Sequence, residues 1–276
     1  MLQVAMLGQV VFTVDGVVTR ADLGQSGRLL ACYLFEFAGR THRRERLADV
    51  FWPDLDSERA GSALNTAIWR IRKLLSLDGS GRCGRQLITS GNDLVLETLP
   101  SISIDTHLLQ RAIKRALSLS SGVLGREMAA ELDSAVDFYG GPFLDGDDAD
   151  WILQERERLH CLCIRGLIEL MRYSARQESL EGALEYGRRI LAIDALRESI
   201  QRDVMLLLVL NGQRADAIQN FQKLRELLKD ELGIEPMPET TRMADDIISG
   251  EIFGQLKLLK RSHFWQAECA PERGCN

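Results

Sequence analysis

The chain has 276 residues, 45% hydrophobic and 27% charged, with 6 prolines, 23 glycines and a formal net charge of −6. That is apolar material for a sizeable core in one large domain or two ordinary ones; it excludes wholesale disorder and the collagen-like and Pro-rich classes. No apolar run approaches the roughly 18–20 residues needed to span a bilayer, and the basic-then-apolar order of a signal peptide is missing from Met1–Gly16, so the expected location is the cytoplasm, with no membrane partner.

The N-terminal part alternates between strand and helix patterns. Leu2–Leu7 and Val10–Val14 are β-rich, Asp15-Gly16 is a hairpin-turn signal, and Val17–Thr19 follows, so three short strands open the chain. Gln25–Phe37 reads as a helix stopped by Gly39. A second helix is expected from Thr41, with Leu47, Val50 and Phe51 on its inner face and Pro53 at its end. A third is expected over Ser57–Leu75, capped by Ser57, with Leu64, Ile68, Ile71 and Leu75 at spacings of 4, 3 and 4 forming one apolar stripe. A Gly/Ser turn over Asp78–Gly84 leads to two strands, Gln86–Thr89 and Asp93–Glu97, separated by Ser90–Asn92. Strands, three helices and a hairpin, in that order, are the layout of a mixed α/β winged helix-turn-helix with an extra N-terminal sheet.

Beyond Pro100 the pattern is almost wholly helical. Helices are expected over Asp105–Leu119, Glu127–Tyr139, Asp150–Arg176, Ser179–Ile193, Arg197–Leu210, Ala215–Leu232 and Glu239–Ser249, with Gly140-Gly141-Pro142 breaking the run. Ala183 and Ala217 lie 34 residues apart, the tetratricopeptide period. At that offset Leu167, Leu170 and Met171 align with Gln201, Val204 and Met205; Leu184 aligns with Ile218, and Ile190 with Leu224. Phe221 stands at the usual aromatic position, and Gly187 occupies it in the first copy. An all-α, tetratricopeptide-like repeat domain is therefore expected, with two unrelated helical hairpins as the alternative. The expected domains are 1–100, 101–250 and a tail over 251–276, with a boundary near 98–105.

Charge divides along the same line. Residues 1–106 hold 12 Lys/Arg and 12 Asp/Glu, and 107–276 hold 22 and 28, so all of the net acidity lies in the second part. Asn65–Lys73 carries three positive residues and no negative one. On the third helix, Asn65, Thr66, Trp69, Arg70, Arg72 and Lys73 fall opposite the apolar stripe. Asn and Arg suit adenine and guanine edges, and Thr suits an edge or a methyl group. Arg70 is expected at a base; Arg72, Lys73 and the hairpin arginines Arg82 and Arg85 are expected at phosphates. An ordinary solvated helix face is the competing reading.

Other chemistry is weakly supported. The 6 cysteines form no CxxC pair and the 4 histidines form no metal or triad pattern, so packed reduced thiols and no cofactor are expected. The DGDDAD run at 145–150 fails the EF-hand frame, because the sixth position from Asp145 is Asp150 and the twelfth is Arg156. No catalytic residues are assigned. There is no GxxxxGK[ST], so ATP binding and an enzyme reading are not expected.

Several stretches together resemble the SARP family of bacterial transcription activators, with its bacterial transcriptional activator domain. They are Leu47–Pro53 (LADVFWP), Ala63–Leu75 (ALNTAIWRIRKLL), Tyr139–Leu144 (YGGPFL) followed by Trp151 and Arg158-Leu159, and Gly212–Leu232 followed by Gly233-Ile234-Glu235-Pro236. The resemblance covers roughly residues 1–250. It implies a winged helix that binds direct repeats in promoter DNA. It also implies a helical domain that aids homodimerisation and contacts RNA polymerase through its sigma or alpha subunit. Thr66, Arg70, Arg72 and Lys73 fall on the family's DNA-facing side, and Trp69 departs from the pattern. Longer members carry nucleotide-binding or phosphopeptide-binding modules, for which the residues after 250 are too few. The alternative function is a repeat adaptor whose winged helix binds protein instead of DNA.

Overall fold

The computed structural model describes residues 1–19, 21–78, 86–97, 100–118 and 124–254. They pack as two units: residues 1–110 together with 138–159, and residues 111–137 together with those from 160 onward.

The first unit opens with strands β1 (Leu2–Ala5), β2 (Val11–Val14) and β3 (Val17–Val18). Asp15 and Gly16 both take positive φ, 48° and 83°. That is the backbone of a type I′ turn, whose twist matches the antiparallel pairing of β2 with β3. Helix α1 (Gln25–Glu36) follows, then strand β4 (Thr41–Arg43), helix α2 (Arg44–Phe51), helix α3 (Ser57–Leu75) and the hairpin β5 (Leu87–Ser90) with β6 (Asp93–Leu96). Strand β7 (Ile102–Ile104) pairs parallel with β1 and completes a sheet of order β3-β2-β1-β7.

Two local expectations are corrected. Thr41 does not start a helix; Thr41–Arg43 is a strand that pairs antiparallel with β6, and the helix begins at Arg44. The partner strand lies some fifty residues away, so nothing near Thr41 signals it. The cap of α3 is Asp56, whose Oδ1 accepts from the Arg59 amide at 2.9 Å; Ser57 is the first helical residue. Strands β4, β6 and β5 make the wing sheet, and α1, α2 and α3 pack on one another. Leu64, Ile68, Ile71 and Leu75 are buried as their spacing requires, against a core that includes Leu30, Leu34, Phe35, Leu47 and Phe51.

Residues 138–159 are built onto the start of the chain. Gly8 donates to the Pro142 carbonyl at 3.0 Å, and Leu144 donates to that of Met6 at 2.9 Å. A Cβ on Gly140 would lie 3.3 Å from the Leu7 carbonyl oxygen, and one on Gly141 3.3 Å from the Gly8 Cα. Both neighbours are backbone, so neither can swing aside. Asp105 secures the same corner from the first turn of helix α4 (Asp105–Leu117): its Oδ2 accepts from the Met6 and Leu7 amides at 2.7 and 2.8 Å. Arg156 on helix α6 (Asp150–Arg176) donates to the carbonyls of Phe143, Leu144 and Asp147.

A polar cluster is buried beside these contacts. The Glu36 side chain is 2% exposed. It accepts from the Thr106 hydroxyl, from Gln110 Nε2 at 2.9 Å and from Arg158 Nη2 at 3.3 Å. Burial, reinforced by the neighbouring Glu155 carboxyl, pushes the Glu36 acid up to about 7, although the Thr106 bond opposes this.

The second unit holds the remainder of α4 and α6, with helices α5 (Arg126–Val136), α7 (Leu180–Ile193), α8 (Glu198–Leu210), α9 (Arg214–Leu232) and α10 (Pro238–Ser249). Helices α7 to α10 stack consecutively. Ala183 and Ala217 are both fully buried, as are Met171 and Met205, at matching positions of the 34-residue period. Gly187 is where that symmetry breaks for a packing reason: a Cβ there would stand 2.6 Å from Val204 Cγ2 and 3.6 Å from Met171 Sδ. Glu198 receives the start of α10 through the Met237 amide at 2.9 Å and the Thr240 hydroxyl at 2.6 Å.

Two predictions follow from this packing. A folded-state acid raised to about 7 holds its proton where the unfolded chain, titrating near 4.5, has lost it. Its stabilising contribution is complete below pH 4.5 and is lost as pH rises through 7. Glu36→Gln is therefore expected to be more stable than the wild type at pH 8, and to flatten the fall in stability between pH 4.5 and 7. Urea unfolding at several pH values checks this, and a stability difference between the two proteins that does not change over that window contradicts it. Gly187→Leu, which overpacks the α7–α8 contact, is expected to cost about 2–3 kcal/mol, with Val204→Ala recovering part of the loss in the double variant.

Candidate nucleic-acid interface

Helix α3 is held at its N-terminus by Asp56 and on its inner face by Ala60, Leu64, Ala67, Ile68, Ile71, Leu74 and Leu75, all buried. That anchoring fixes which side chains point outward. Asn65, Thr66, Trp69 and Lys73 are exposed, and Arg70 and Arg72 are half-buried. From Arg59 to Leu77 there is no acidic residue, so this face is uniformly neutral or positive.

The outward residues are not equally available. Trp69 is 62% exposed, with the Lys73 ammonium 5.7 Å from its ring centroid. Thr66 donates its hydroxyl to the Ser62 carbonyl one turn back, which leaves its methyl group and lone pairs outward. Arg70 leans toward the segment before α1, with Nη1 4.0 Å from Asp22 Oδ1, an exposed pairing that constrains it little. Asn65 is engaged: its Oδ1 accepts from Arg44 Nη2 at 2.5 Å. Bidentate reading of adenine needs both ends of the amide, so this bond has to open first.

Arg72 is the most committed. Its Nε and Nη2 donate to the Leu87 carbonyl at 3.3 and 2.9 Å, and Nη2 also donates to Thr89 Oγ1 at 2.9 Å. The guanidinium fork fastens α3 to the first wing strand. Arg82 and Arg85 lie outside the described residues.

Arg44, which is not among the residues expected at DNA, reaches α3 from the first turn of α2. Its signal was the run Thr41–Arg46 (THRRER), with arginines at 43, 44 and 46. Arg43 pairs with Asp93 of β6 at 3.4 Å, so this run also ties α2 to the wing sheet. No group of His, Cys, Asp and Glu suited to a metal occurs among the described residues. Among the described cysteines, burial pushes the Cys32 and Cys163 thiols up to about 12, far from the thiolate form. No described helix is long and apolar enough to cross a membrane.

The described helices and sheets are a winged helix-turn-helix followed by a tetratricopeptide-like stack. A solved structure shares this fold: EmbR of Mycobacterium tuberculosis, in complex with a low affinity phosphopeptide, matches with a TM-score of 0.70 at 18% identity, over 94% of this chain and 71% of that one. The model of the bacterial transcriptional activator domain matches residues 104–248, more than half of the chain. The chain belongs to the SARP family of bacterial transcription activators, which carry that domain. Regulatory protein AfsR of Streptomyces coelicolor is 25% identical over 253 residues, 91% of this chain and 24% of AfsR. AfsR of Streptomyces griseus is 27% identical over 260 residues, 87% of this chain and 24% of that protein. Transcriptional regulatory protein MoaR1 of Mycobacterium tuberculosis is 25% identical over 206 residues, covering 70% and 62%. The chain thus spans about a quarter of the length of the AfsR proteins it matches.

If Arg72 fastens the wing, Arg72→Ala is expected to cost about 1–2 kcal/mol and to speed amide exchange over Leu87–Ser90. Arg72→Lys should recover only part, because an ammonium cannot form the fork. Exchange rates equal to the wild type would return Arg72 to the set of free phosphate contacts.

Proposed function

We propose that this chain is a sequence-specific DNA-binding transcription activator that binds repeated promoter elements and recruits RNA polymerase. The observation that carries the reading is the outward face of α3, without an acidic residue from Arg59 to Leu77, on the helix that a winged helix-turn-helix presents to the major groove. Phosphate attraction acts at close range under physiological screening, so a local basic face serves even on a chain of net charge −6. AfsR, named a regulatory protein, and MoaR1, named a transcriptional regulatory protein, support the same reading.

In this proposal Arg70 reads a guanine edge, Thr66 and Asn65 contact neighbouring bases, and Trp69 packs against the backbone or a base step. Lys73, Arg44 and the wing arginines Arg82 and Arg85 hold phosphates, and Arg72 positions the wing. Residues 1–100 read DNA and 101–250 supply the surface for homodimerisation and for the sigma or alpha subunit of polymerase. No role is assigned to 251–276. The working location is the cytoplasm. The second reading, a repeat adaptor whose winged helix binds protein, draws on Trp69, since tryptophan is among the residues enriched as anchors in protein–protein contacts.

Duplexes selected from a random pool, followed by fluorescence anisotropy against salt, separate these readings. Arg70→Ala is expected to lose about 1–3 kcal/mol on the selected duplex and little on a random one. Lys73→Ala should weaken both and lower the salt slope by about one unit. Equal losses for Arg70→Ala on both duplexes make Arg70 a phosphate contact; no loss from either variant favours the adaptor.

A further inference from the structure

The first unit contains a cavity of about 400 Å³ that the DNA-facing residues do not use. Tyr33 of α1, Thr41–Arg43 of β4, Arg46, Leu47, Val50 and Phe51 of α2, and Trp151 at the start of α6 line it. Its volume lies within the roughly 300–1,000 Å³ typical of small-molecule sites.

One wall is a set of aromatic rings already packed edge-on. Tyr33 stands 5.1 Å from Trp151 with planes at 88°, and 5.6 Å from Phe51 at 72°. His42 joins them 5.0 Å from Tyr33. Rings held at these angles by one another present fixed edges and faces to a planar guest.

The polar lining has one sign. Arg43 and Arg46 contribute to it and no carboxylate does. Arg43 is paired with Asp93, whereas Arg46 makes no ion pair among the described residues. Burial pushes the His42 imidazole below its ordinary range, opposed in part by the Phe37 backbone. Its Nε2 is buried and has no hydrogen-bond partner.

We propose that this cavity binds a planar aromatic anion, its rings against Tyr33, Phe51 and Trp151 and its acid group on Arg46. The site lies against α2 and β4, the elements that adjoin the recognition helix and the wing, so occupancy bears directly on the surface assigned to DNA. Binding itself does not depend on that assignment.

The test uses the full chain and two fluorescent probes that share a ring system and an N–H. 8-Anilinonaphthalene-1-sulfonate carries an anion and N-phenyl-1-naphthylamine does not. The expected result is saturable binding of the sulfonate at one per chain. Arg46→Gln should weaken the sulfonate about five- to tenfold and leave the uncharged probe unchanged, as loss of one charge-assisted contact requires. Val50→Trp, which fills the cavity, should abolish binding of both. Arg59→Gln, an arginine of the same unit outside the cavity, should change nothing. Circular dichroism melts confirm that each variant is folded. Non-saturable binding, an Arg46→Gln variant indistinguishable from the wild type, or an equal loss from Arg59→Gln overturns the proposal.

Discussion

Residues 138–159 sit on the beginning of the chain because two stretches of backbone touch. Gly140 and Gly141 approach Leu7 and Gly8 so closely that a single Cβ at either position would press on main-chain atoms. Once they meet, the amides of Gly8, Leu144 and Asp145 find carbonyls across the contact, and Asp105 takes the amides of Met6 and Leu7. The start of α6 is positioned by that seat. Trp151 then reaches Tyr33 and Phe51, and Arg158 reaches Glu36. A bulky side chain at Gly140 or Gly141 would therefore disturb the aromatic cluster and the buried acid together.

That dependence gives the YGGPFL…W…RL stretch a physical meaning. The glycines permit backbone contact, Phe143 and Leu144 are fully buried, Trp151 closes the aromatic wall and Arg158 bonds the buried Glu36 carboxyl. The matched activator domain begins at residue 104, yet the compact unit holding the winged helix includes 138–159. Order along the chain and order in packing are different things here. A cluster built from Glu36, Thr106, Gln110, Glu155 and Arg158 draws on three helices and exists only when all three are docked.

On the candidate interface, spacing separates inside from outside reliably but says nothing about what the outward groups do. Thr66, Trp69 and Lys73 are outward because the stripe opposite them is buried. Arg72 is outward by the same periodicity, yet the wing strand passes within reach and captures its guanidinium. Asn65 is likewise captured by Arg44. Neither partner is a helical neighbour, so no periodicity on α3 could reveal them.

The amino-acid sequence by itself determined the local elements wherever the determining forces are local. The Asp15-Gly16 turn follows from tolerance of positive φ, and the inner face of α3 from a 3.6-residue period. The matched burial at 183 and 217 follows from a repeated helical pair. The tertiary structure alone decided what depends on partners distant in the chain. Strand β4 is a strand because β6 lies beside it, β7 because β1 does, and Gly187 is glycine because Val204 crosses there. A hydrogen-bond ladder or a close helix crossing is a property of two segments at once, and neither segment alone carries its signal.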